Sequence, residues 1–285
     1  MVKIAATEIG DFGLGTAQFV FRPESTREAA IEVVHAAVAN GVRLIDTARA
    51  YTRRGVEAYG ETVVRDALAG LPLASQVLVA TKGGHWREGD GFPIDARPTT
   101  LRQHCEASLR ALGTDQIGLY QLHWIDDKVP LLESVGALVD LQREGKIAHI
   151  GLSNVSIADL EIARSGATIV SVQNRLGYDH RLDLPMARFC SDHGIAYLAY
   201  MPLGGRRTSG PLPDDPLVIV ARSHGTSIEQ VALSWLRGLA PGIVPLVGSS
   251  KVGTILDSVG SAHLHLLPEE RALLDDWQPR PGDGP

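Results

Sequence analysis

The chain has 285 residues, 44% hydrophobic and 21% charged, with a formal net charge of −6, enough for one large core and with no basic face for nucleic acid. No apolar run approaches the roughly 18 residues of a membrane span, and Met1 to Glu8 carries no secretory core. Cys105 and Cys190 both fall in helical patterns as small buried hydrophobes, so the reading is of a soluble cytoplasmic monomer without disulfides.

Residues 12–16 form a short glycine-rich strand. Gly13-Leu14-Gly15 invites comparison with a dinucleotide fingerprint, but Gln18 stands where the third glycine belongs and Arg22-Pro23-Glu24 reads as a loop, which argues against a Rossmann unit. Ser25-Thr26 caps a helix to Asn40 whose apolar face is Ala30, Val33, Val34, Ala37 and Val38, and Gly41 stops it. Strands at 44–46, 77–82, 116–123, 147–153, 169–173 and 196–200 then alternate with helices at 60–71, 99–112, 130–144, 156–165 and 184–193. Helices at 216–224 and 227–238, a strand at 243–247 and a helix at 251–262 complete the pattern.

That makes eight strands with near-continuous apolar runs, as parallel strands buried on both faces require. Eight βα units predict an α/β fold of the (β/α)8 TIM-barrel type, one domain over 1–278 with a disordered tail at 279–285, and a site at the C-terminal strand ends. An open doubly wound sheet is the alternative. The loops at 85–98, 124–130 and 204–216 then overhang the site.

Asp46 ends the second strand, and a buried carboxylate needs a facing cation or donors. Lys82 ends the third strand, His123 ends the fourth, and Tyr51 lies in the loop after the second. This quartet resembles the Asp, Tyr, Lys and His tetrad of the aldo-keto reductases. The likeness continues in the family's order through Gly151-Leu152-Ser153-Asn154, Val172-Gln173-Asn174, Ala199-Tyr200-Met201-Pro202-Leu203-Gly204 and Gly248-Ser249-Ser250-Lys251.

Reducing a carbonyl by hydride transfer leaves charge on oxygen that must be stabilised and protonated. Tyr51 suits the role of donor: Lys82 lowers its pKa from about 10 while burial raises it, and proximity decides. Asp46 would keep Lys82 charged, and His123 would hydrogen-bond the carbonyl. Each has a plainer reading, as a structural ion pair, a loop aromatic and a core histidine. Tyr59, followed by Gly60-Glu61 as the family's tyrosine usually is by glycine and an acidic helix start, is a rival donor.

The resemblance implies that Ser153, Asn154 and Gln173 hold a nicotinamide carboxamide, that Tyr200 stacks on the ring, and that Leu203 and Gly204 border the pyrophosphate. Gly248, Ser249, Ser250 and Lys251 lie before a helix N-terminus suited to phosphate. Lys251 facing a 2'-phosphate favours NADP(H), whereas Thr254 and Ser258 stand where relatives often carry arginine and an amide, so NAD(H) stays open. No metal set is visible, His263 and His265 reading as exposed. The function implied is reduction of an aldehyde or ketone, a small-molecule carbonyl substrate, with Trp86 and Trp124 as an apolar wall. A cofactor-binding redox sensor and a Schiff-base enzyme using Lys82 are the alternatives, although Asp46 would hinder the latter by keeping the lysine charged.

Overall fold

The computed structural model describes residues 2–22, 24–204 and 214–277. β1 (Val2–Ile4) and β2 (Thr7–Gly10) form an antiparallel hairpin, and β3 (Gly13–Gly15) follows. After α1 (Ala17–Phe21) and α2 (Arg27–Ala39), strand and helix alternate: β4 (Leu44–Asp46), α3 (Tyr59–Leu68), β5 (Leu78–Gly83), α4 (Pro98–Leu112), β6 (Ile117–Leu122), α5 (Leu131–Arg143), β7 (Ile147–Ser153) and α6 (Ile157–Arg164). β8 (Ile169–Arg175), α7 (Leu184–Asp192), β9 (Ala196–Tyr200), α8 (Pro216–His224), α9 (Ile228–Arg237), β10 (Ile243–Gly248), α10 (Val252–Gly260) and α11 (Pro268–Asp275) complete the chain. The caps act as their residue types suggest, with the Thr26, Ser156 and Ser227 side chains accepting from backbone N–H groups of α2, α6 and α9.

β3 to β10 close into a parallel (β/α)8 barrel in chain order, β10 pairing back onto β3. Each of the eight expected strands is present. Side chains alternate in and out along a strand, so two cores form. The outer one lies between strands and helices. The inner one joins Leu44, Leu78, Ala80, Leu119, Ala196, Leu198, Val244 and Leu246 to Ile4 and Ile9 of the hairpin, which thereby covers the N-terminal end of the barrel.

Three elements were not foreseen: the β1–β2 hairpin, the five-residue α1, and α11. The first two are too short to show a period. α11 had a signal in Pro268-Glu269-Glu270, since Glu270 Oε2 accepts from the Leu267 amide at 2.8 Å, a helix-start arrangement. Among the described residues no helix is long and apolar enough to cross a membrane. The tail expected to be disordered and most of the loop at 204–216 lie outside the described residues.

Candidate active site

The register brings the polar strand ends level. Asp46 pairs with Ala80, Lys82 with Gln121, and Ser153 with Gln173, all toward the C-terminal ends. Lys82, 0% exposed, donates to Asp46 Oδ2 at 2.7 Å and to the Thr47 carbonyl at 2.9 Å, and its Nζ lies 3.5 Å from the Tyr51 hydroxyl. The second oxygen of Asp46, itself 2% exposed, accepts from Gln173 Nε2 at 2.8 Å and Gln121 Nε2 at 3.3 Å. Gln121 was missed in the sequence. Its signal was a polar residue two positions before His123 on the same inward face of an apolar strand.

Burial by itself depresses the Lys82 ammonium, but Asp46 and Tyr51 beside it more than compensate, and its pKa ends raised. For Tyr51 the competition runs the other way. Burial is the largest influence and outweighs Lys82, so the phenol is held above its usual range and stays protonated at neutral pH. The loop that carries Tyr51 is pinned along its length: Thr47 N–H donates to the Ala80 carbonyl at 2.8 Å, Arg49 N–H to the Lys82 carbonyl at 3.1 Å, and Gly60 N–H to the Tyr51 carbonyl at 2.8 Å. A Cβ at Gly60 would stand 2.8 Å from Thr47 Oγ1 and 3.1 Å from Tyr51 Cβ, so the close approach needs glycine. Tyr59 instead starts α3, buried in the outer core beneath the Arg53 guanidinium at 4.1 Å, and its hydroxyl has no partner among the described residues.

His123 is 7% exposed, and its buried Nδ1 has no partner among the described residues. Burial, reinforced by the positive charge of Lys82 and by His85, holds its pKa well below 6.5, so the ring is neutral. It stands edge-on to Tyr51, with ring centroids 6.1 Å apart. Tyr51, Lys82 and His123 therefore converge on one point at the barrel mouth.

The residues assigned to the nicotinamide by resemblance form one network. Ser153 Oγ donates to the Gln173 carbonyl at 2.8 Å, Asn154 Nδ2 donates to the His123 carbonyl at 3.0 Å and to Ser153 Oγ at 3.1 Å, and the Tyr200 hydroxyl donates to Asn154 Oδ1 at 2.8 Å. Asn154 holds a left-handed φ of 58°, which its residue type tolerates. The Tyr200 ring is thus fixed at its far end and presents a half-buried face. Leu203 packs on the outer core, and a Cβ at Gly204 would strike the Asp179 carboxylate, which also lies 3.6 Å from Arg175 Nη2.

At the end of the adjoining strand β10, Gly248 is exposed, Ser249 is buried, and Ser249 Oγ accepts from Lys251 N–H at 2.9 Å while donating to the Lys251 carbonyl at 2.7 Å. This turn delivers the chain into α10 with no side-chain cap on its first amides and with Lys251 exposed at the N-cap position. Free amides at a nine-residue helix, a cationic side chain and a fixed aromatic face fit the phosphate and ring of a dinucleotide.

The mouth is walled by rings of which the sequence marked only Trp124. Phe21, from α1, lies 6.2 Å from Tyr51, and His85 lies 4.9 Å from His123, 5.6 Å from Phe92 and 6.4 Å from Trp124. Of the two tryptophans expected to form the wall, Trp124 stands in this group at the rim. Trp86 packs on His104 instead, at 5.2 Å. Among the described residues no group of three or more metal-ligating side chains is present.

Known proteins share this fold. Residues 11–278 match the model of the aldo/keto reductase family. The chain belongs to the aldo/keto reductase family. Pyridoxine 4-dehydrogenase of Escherichia coli is 34% identical to this aldo/keto reductase, over 95% of the chain and 96% of that protein. The structure of a glycerol dehydrogenase from Gluconobacter oxydans superposes with a TM-score of 0.83 at 27% identity, covering 97% of this chain and 93% of the other. An aldo/keto reductase from Klebsiella pneumoniae, solved with NADP and acetate, gives 0.80 at 27% identity, covering 96% and 93%. This aldo/keto reductase is an NAD(P)H-dependent oxidoreductase.

Proposed function

We propose that this aldo/keto reductase reduces an aldehyde or ketone to an alcohol, with Tyr51 as proton donor. The observation that carries the reading is the Tyr51 hydroxyl, 3.5 Å from the buried Lys82 ammonium and facing neutral His123. When bound, the reduced nicotinamide supplies the hydride. Tyr51 hands its proton to the carbonyl oxygen. Lys82 stabilises the phenolate left behind, and Asp46, tied by Gln121 and Gln173, keeps Lys82 charged and aimed. His123 offers a second hydrogen bond to the same oxygen, and its neutrality spares the site another positive charge. Ser153, Asn154 and Gln173 would hold the carboxamide, Tyr200 the ring, and Leu203, Gly204 and residues 248–251 the phosphates.

NADP(H) is the favoured cofactor. Lys251 is exposed at the start of α10, where a 2'-phosphate would meet a cation, and the Klebsiella pneumoniae relative is complexed with NADP. The pyridoxine 4-dehydrogenase relative makes pyridoxine the first alcohol to try in the reverse direction.

The test is NADPH oxidation with a panel of aldehydes by wild type, Tyr51→Phe and Tyr59→Phe. Loss of turnover in Tyr51→Phe alone supports the reading. Tyr59→Phe removes a buried hydroxyl that has no partner among the described residues and should leave the rate intact. Tight NADPH binding with no turnover across the panel would replace it with a redox-sensing role.

A further inference from the structure

Arg87 sits in the aromatic mouth, in the segment after β5. The chain there folds back on itself, with Glu88 and Gly91 exchanging backbone hydrogen bonds at 3.0 Å and His85 bridging Ile94. This turn holds the Arg87 guanidinium 4.7 Å from the Phe92 ring centroid and 5.8 Å from that of Phe21. Phe21 is in turn edge-on to Tyr51 at 6.2 Å. The cation thus lies about one aromatic ring beyond the proton donor, on the solvent side.

Its neighbours in sequence and space are paired. Arg49 meets Glu57, Arg54 meets Asp90 and Arg97 meets Asp95. Arg87 has no carboxylate within ion-pair distance among the described residues, and its Nε is buried without a hydrogen-bond partner. A guanidinium set against a corner of two adjoining rings, whose centroids lie 6.2 Å apart, is oriented and partly stripped of water, which cation–π contact only partly offsets. Its unused N–H groups form the planar fork that suits a carboxylate.

We propose that Arg87 is an anion-binding subsite and that the substrate is an aromatic carbonyl compound carrying an oxyanion, in the first instance a carboxylate. The carbonyl would lie at Tyr51 and His123, the ring among Phe21, His85, Phe92 and Trp124, and the carboxylate at Arg87. This inference rests on the reductase reading and specifies the substrate for the same site.

The test compares 4-carboxybenzaldehyde with its neutral methyl ester, methyl 4-formylbenzoate, in the full-length enzyme with NADPH. The expected result is a kcat/KM preference for the acid of about tenfold, residing in KM and shrinking with added salt, as one charge-assisted contact at a wet rim should give. Arg87→Met keeps the apolar stem against Phe21 and Phe92 and should bring the ratio of acid to ester close to one. Turnover of both aldehydes without preference, or a preference that survives Arg87→Met, overturns the proposal and leaves the reductase reading intact. Binding of terephthalate, followed by tryptophan fluorescence, separates the two ideas from the other side. Arg87-dependent quenching in an enzyme that reduces neither aldehyde would support the subsite and sink the reductase reading.

Discussion

Along β4, β5, β6 and β9 the inward side chains change character within one two-residue step. Leu44, Ala80, Leu119 and Leu198 belong to the apolar lower layer, and the next inward positions are Asp46, Lys82, Gln121 and Tyr200. The lower layer, closed beneath by Ile4 and Ile9, stabilises the barrel by removing apolar surface from water, which any well-shaped hydrophobe can do. The upper layer places a carboxylate and an ammonium where water is scarce, and there orientation replaces shape as the requirement. Desolvation offsets much of what the Asp46–Lys82 contact contributes, so its value lies in the charge it maintains next to Tyr51.

Breaking the upper layer should have the largest effect. Lys82→Met is expected to lower kcat by about 10²–10⁴-fold and, by stranding Asp46, to destabilise the fold by about 3–5 kcal/mol, measurable by urea titration. Adding Asp46→Asn should recover most of the stability and none of the activity, because the amide keeps an acceptor for Gln121 and Gln173 without a buried charge. The lower layer should answer in the opposite way. Leu119→Ala is expected to cost about 2–5 kcal/mol while the folded fraction retains its kcat.

Smaller effects sharpen the contrast. Gly60→Ala pushes against Thr47 Oγ1 and the Tyr51 carbonyl and Cβ without meeting the Tyr51 hydroxyl, and should reduce kcat by about ten- to a hundredfold with cofactor affinity unchanged. Because His123 titrates well below 6.5 and Tyr51 above 10, reduction should show no inflection between pH 6 and 8; an inflection near 6.5 assigned to His123 by substitution would contradict its neutrality. The smallest effect concerns His104, whose Nδ1 accepts from the Gly84 amide at 3.2 Å and whose pKa burial lowers to about 4. A histidine depressed in the folded state contributes fully above its unfolded pKa. That contribution fades as pH falls from 6.5 toward 4, where the unfolded chain takes up the proton first. His104→Asn should soften this acid destabilisation by about 1 kcal/mol, the ring being partly exposed.

The barrel was legible because its signal is redundant. Each parallel strand is buried on both faces, so runs such as Val77 to Lys82 read as strand wherever their ends are drawn, and the polar residue closing each run marks the rim. Asp46, Lys82 and His123 could be found because each terminates such a run. For Tyr51 and Tyr59 the sequence signals pull apart, the spacing from Asp46 favouring Tyr51 and the following context Tyr59; the Tyr59-Gly60-Glu61 context belongs to a helix start whose glycine holds the Tyr51 loop from behind. Apart from Trp124, the aromatic mouth was hidden for a different reason. Phe21, Phe92 and Trp124 come from three connections that lack a period, and only the closed barrel makes them neighbours. Trp86, which sequence alone could not distinguish from Trp124, turns toward α4.

Asp46 is tied at once to β5, β6 and β8 through Lys82, Gln121 and Gln173, the last of them 127 positions away along the chain. During synthesis, the lysine that would hold Asp46 charged emerges early, but the glutamine that fixes the other oxygen follows only after more than half of the polypeptide has left the ribosome. Completion of the Asp46 network is therefore a late event in the life of this chain. A nascent or truncated product that ends before β8 carries Asp46, Tyr51, Lys82 and His123 and still lacks the glutamine that fixes the second oxygen of Asp46.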